Sequence, residues 1–133
     1  MTHAKFLDRL LAPSLEDIEA LAAQALAEIP PALRDRVRGI VIRVDEFADE
    51  ETLEQMGIED PFTLTGLYRG VPLRDKSVGD SGAIPDMIFL YRRPILDEWC
   101  ETGATLGGLV REVLIHEIGH HFGFSDDDMD ALD

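Results

Sequence analysis

Cysteine is almost missing from these 133 residues: Cys100 stands alone, so the chain forms no internal disulfide and no metal centre built on two or more of its own thiolates. That usage fits a reducing compartment. No stretch approaches the roughly 18 apolar residues a membrane-spanning helix needs. Residues 1–15 set Lys5, Asp8 and Arg9 among apolar neighbours, unlike the unbroken apolar centre of a signal peptide, so a cytoplasmic location is expected. Bases are scarce as well, with 12 Lys and Arg against 27 Asp and Glu and a formal charge of −15. Such a field repels phosphate backbones and anionic lipid, so neither nucleic acid nor membrane is an expected partner. What is present is ordinary for a globular protein, 45% hydrophobic and 29% charged residues, at a length suited to one domain over 1–133.

Periodicity supplies the elements. After Ser14, the residues Leu15, Ile18, Leu21, Ala22, Ala25, Leu26 and Ile29 recur at three- and four-residue spacing up to Pro30 and Pro31, which predicts an amphipathic helix. The β-branched run Ile40–Val44, within 37–47, predicts a buried strand. Acidic residues 48–60 read as a loop or a short surface helix. Leu64–Leu73, broken by Gly66, Gly70 and Pro72, predicts a short irregular strand, and Ile84–Tyr91 another, with a polar turn at Asp75–Gly82 between them. Pro94–Glu101 suggests a short helix with Trp99 turned inward. Leu106, Leu109, Val110, Val113, Leu114 and Ile118 predict a helix of about four turns from Thr105 to His121, stopped by Gly123.

That last helix contains His116-Glu117-Ile118-Gly119-His120. Residues four apart share a helix face, so both imidazoles can meet one zinc ion. Glu117 sits about 100° round from His116, beside the metal, where a carboxylate can take a proton from zinc-bound water. A catalytic zinc commonly has three protein ligands. Glu112 lies on the same face but about 12 Å of rise from His120, so it belongs around the site and not on the ion. Gly123 can turn the chain back at the helix end and bring Asp126 within reach; the alternative is that Ser125 and Asp126 cap a terminal helix. His121 either lines the cleft or packs inertly. An EF-hand reading of Asp126, Asp128 and Asp130 fails because Ala131 stands where the loop needs glycine.

Three runs carry a resemblance: GLYRGVPL at Gly66–Leu73, IPDMIFLYRRPI at Ile84–Ile95 and VREVLIHEIGHHFGFSDDDM at Val110–Met129. Together they resemble the small prokaryotic zincin-like metallopeptidases, the minimal zincins, from about Val37 onward. The resemblance implies a two-layer α+β fold, a small mixed sheet packed on an N-terminal helix and a C-terminal active-site helix. It also implies one Zn2+ per chain held by His116, His120 and Asp126, with Glu117 catalytic. An aspartate in place of a third histidine lowers the net positive charge of such a site and with it the metal's Lewis acidity.

The activity expected is hydrolysis of a peptide or protein substrate, laid as an extra strand along Ile84–Tyr91. Tyr68, Tyr91 and Arg92 are the candidate substrate-binding residues, the tyrosines as oxyanion helpers and Arg92, with Arg93, as a cation flanking the strand. Each has a plainer alternative as a packed aromatic or a solvated charge. The competing function is a non-catalytic, acidic zinc-binding module that recruits a basic partner.

Overall fold

A computed structural model describes residues 2–70 and 86–123. Helix α1 (Thr2–Asp8) buries none of its residues. Ser14 then opens α2 (Leu15–Ala27) with a reciprocal cap: its hydroxyl accepts from the Asp17 amide at 3.1 Å and its own amide donates to Asp17 at 2.8 Å. A single turn, α3 (Pro31–Arg34), and a 3-10 turn at Asp35–Val37 lead into strand β1 (Val41–Asp45). The acidic stretch resolves as helix α4 (Glu50–Met56), capped by Asp49 and closed by Gly57 at φ 67°. Strands β2 (Gly66–Arg69) and β3 (Met87–Tyr91) follow, then α5 (Arg92–Thr102) and α6 (Leu106–His121).

The three strands form one sheet in the order β1-β3-β2, with β1 parallel and β2 antiparallel to β3. Among the described residues this mixed sheet and six helices make the α+β fold expected of the chain. The arrangement corrects one expectation: the strand ending at Tyr91 is not an edge, because its backbone is hydrogen-bonded to a neighbour on each side and has no free row for a substrate. Its start at Ile84 lies outside the described residues. Helix α5 begins two residues before Pro94, because a proline in the first helical turn lacks only an amide that has no intrahelical acceptor.

Alternation on β3 divides the interior. Ile88 and Leu90, both fully buried, face α2 and α6, where they meet Ile18, Val110 and Leu114. Phe89 and Tyr91 face the other way, into a smaller cluster with Ala48 and Leu64. Helix α2 rests on β1, α6 rests on β2 and β3, and the two helices pack on each other. Trp99 packs against the main core as expected, and Cys100 is exposed. Among the described residues no helix is long and apolar enough to cross a membrane.

Candidate metal centre

Helix α6 starts cleanly because the Thr105 hydroxyl accepts from the Gly108 amide at 3.1 Å. Its core stripe of Leu109, Val110, Val113, Leu114 and Ile118 fixes its rotation, and that rotation sets His116, Glu117 and His120 together. Their nearest nitrogen and oxygen atoms all lie within 4.8 Å of one another. The two imidazoles are half-buried and side by side, with ring centres 4.8 Å apart. Glu117 is buried, and His120 Nδ1 donates to its Oε1 at 3.0 Å, which leaves Nε2 of His120 as that ring's metal-binding nitrogen. Two imidazoles and a carboxylate so placed suit zinc or a similar borderline cation. Among the described residues this is the one such group. Asp126 lies outside the described residues. Gly123 follows the helix at φ 91°, its amide donating to the carbonyl of His120 at 2.9 Å.

Gly66 lets β2 pack closely on α6. A Cβ at that position would lie 2.7 Å from Val113 Cγ1 and 3.2 Å from the Phe89 carbonyl oxygen, with Glu117 Cγ in ordinary contact at 3.4 Å. A glycine inside a strand is the sequence signal for such close approach. Gly66→Ala ordinarily gains a little through the unfolded chain, up to about 1 kcal/mol. Here the buried, β-branched Val113 cannot step aside, and overpacking dominates. The expected net loss is about 1–2 kcal/mol in urea unfolding, and an unchanged midpoint would refute the contact.

The three candidate substrate residues each have partners within the fold. The Tyr68 hydroxyl donates to Asp86 Oδ1 at 3.2 Å and meets His121 Nδ1 at 3.1 Å. His121, only 2% exposed, donates from Nε2 to the Arg36 carbonyl at 3.0 Å, so it pins the end of α6 to β2 and to the turn before β1. Arg92, the first residue of α5, is a tether: its guanidinium donates to the Pro13 carbonyl at 2.6 Å and to Glu46 at 2.9 Å. Arg93 lies over the Phe47 ring at 6.0 Å. Tyr91 is packed in the smaller core. Asp86 and Gly66 escaped the sequence reading, since neither belongs to a metal motif.

Burial raises the Tyr91 hydroxyl to about 12, with Asp45, Asp49 and Glu117 adding to the rise and Arg69 opposing it. Burial, and then Asp86, lift Tyr68 as well. These are the only two tyrosines in the chain. Phenolate absorbance of the folded protein should therefore stay flat through pH 10, and unfolding should restore titration there. Both phenols hold their protons longer when folded, so the stability they contribute is complete below pH 10 and is lost as pH rises toward about 12. A tyrosine titrating near 10 in the folded chain would contradict this packing.

A helix thus presents two histidines and a buried glutamate, a group that could hold a metal ion, over a small mixed sheet. The profile of the zincin-like metallopeptidases matches residues 37–133, and the chain belongs to that family. The match takes in β1 and everything after it, including all three members of the His-Glu-His group. No curated protein matches the chain.

Proposed function

We propose that this protein is a zinc-dependent hydrolase of peptide bonds, with Glu117 as general base and then general acid. The observation that carries the reading is the buried Glu117 carboxylate within 4.8 Å of two imidazole donors. His116 and His120 would hold the ion with Asp126 as third ligand, one zinc per chain. Bound there, zinc supplies Lewis-acid polarisation and lowers the pKa of a coordinated water. Glu117 takes the proton from the attacking water and delivers it to the leaving amine, and its burial strengthens both transfers. The hydrogen bond from His120 fixes its carboxylate between the two roles.

With β3 central, the sheet edge that packs against α6 among the described residues is β2. The substrate backbone is proposed to extend the sheet there, next to Gly66 and Glu117. The acidic surface and the single reduced cysteine support a cytoplasmic setting with a peptide or protein substrate. Metal content by mass spectrometry tests the site: about one zinc per chain in the wild type, lost in His120→Ala and Asp126→Ala. No zinc uptake by the wild type would refute this reading and the zinc-binding module alike.

A further inference from the structure

A cleft of about 220 Å³ opens directly beside the metal centre. His116 and Glu117 form one end, and it runs back along α6 to Leu109, seven residues earlier, which is about 10 Å of helix rise. Leu109 and Val113, with Thr65 from the approach to β2, make one wall. Glu98 of α5 and Glu112 of α6 supply carboxylates. Neither glutamate has a hydrogen bond or ion pair among the described residues. The arginines of the same two helices have other partners: Arg92 pairs with Glu46, Arg93 lies over the Phe47 ring at 6.0 Å, and Arg111 pairs with Glu28 at 2.8 Å. Glu98 and Glu112 also stand outside the one donor group that, among the described residues, is close enough to hold a metal ion. A cleft with Leu109 and Val113 on one wall and two carboxylates unpaired among the described residues suits a long aliphatic stem with a cationic tip, because the stem covers the apolar wall while the tip stays hydrated among the acids.

The geometry points to a side-chain subsite that selects lysine or arginine beside the scissile bond. This rests on the hydrolase reading above and names its substrate class. An α-ammonium group carries the same charge, but it sits on the backbone without a stem, and a channel two helical turns long favours the side chain.

The test uses N-acetylated peptides, identical except for one scanned position carrying Lys, Arg, norleucine or Glu, with the zinc-loaded protein. At one position, kcat/KM for Lys and Arg should exceed norleucine by about tenfold, the size expected of two solvent-screened carboxylate contacts, with Glu poorest. The preference should shrink in 0.5 M salt and fall to within about twofold in Glu98→Gln/Glu112→Gln. Norleucine equal to Lys at every position, or a preference that survives the double substitution, would overturn the subsite. So would a preference seen only with free N-termini, which would assign the carboxylates to the α-ammonium group. Binding of the same peptides to zinc-loaded Glu117→Gln, measured by calorimetry, reads the subsite without turnover. Selective binding without any wild-type hydrolysis would sink the hydrolase reading and keep the subsite; hydrolysis without selectivity would do the reverse.

Discussion

Glu117→Gln should lower kcat/KM for peptide hydrolysis by about 10²–10⁴-fold while zinc content stays at the wild-type level, because the substitution removes the proton acceptor and little else. Glutamine has nearly the same shape, so it fits beneath Gly66, and its amide oxygen still accepts from His120 Nδ1. The new amide group brings two donors into a buried position, which costs about 1–3 kcal/mol if they go unpaired. Thermal denaturation run beside the kinetics therefore separates a folding loss from a chemical one. Hydrolysis undiminished in the variant would remove Glu117 from the mechanism, and a parallel fall in bound zinc would make it a ligand and not the base.

Chelation should lower the melting temperature of zinc-loaded protein by at least about 10 °C. An ion at a thousandfold its dissociation constant stabilises the folded state by about 4 kcal/mol, and for a chain of 133 residues each kcal/mol moves the midpoint by about 3–5 °C. On the proposed reading the ion would favour the folded chain, because α6 already sets His116, Glu117 and His120 within 4.8 Å of one another. His116→Ala and His120→Ala should erase the difference between zinc and chelator. Of the two, His116→Ala is the cleaner probe, since His120→Ala also strips a hydrogen bond from buried Glu117. A wild type whose midpoint ignores zinc would mean that the His-Glu-His group is structural.

Helices α2 and α6 were legible in the sequence because their apolar residues repeat at helical spacing between recognisable caps, Ser14 and Thr105. The site was legible where it is local: three residues within one helical turn and a half need only the helix to meet. What depended on tertiary pairing was not. Nothing in Ile84–Tyr91 says that β1 will pair on one side and β2 on the other, so the central strand reads like an edge. Residue type marked Tyr68 and Arg92 as useful to a substrate, but their neighbours Asp86 and Glu46 decide where their polar groups are held, 18 and 46 positions away in sequence. Glu98 reaches the cleft only because α5 packs beside α6. The acidic segment 48–60 stayed ambiguous since α4 buries Thr52 alone, too little for a periodic signal.

The pairing of β1 with β3 also governs how the molecule comes into being. Val41 meets Met87, 46 positions on, and α2 finds α6 across a longer interval still. Closing such loops is an entropic cost met before the contacts exist, which slows folding relative to a bundle of sequence neighbours. Helix α6 buries its apolar stripe against both the sheet and α2, so its docking depends on both. On the proposed function, the hydrolytic centre would therefore be complete only in the finished fold, where Glu117 is out of water.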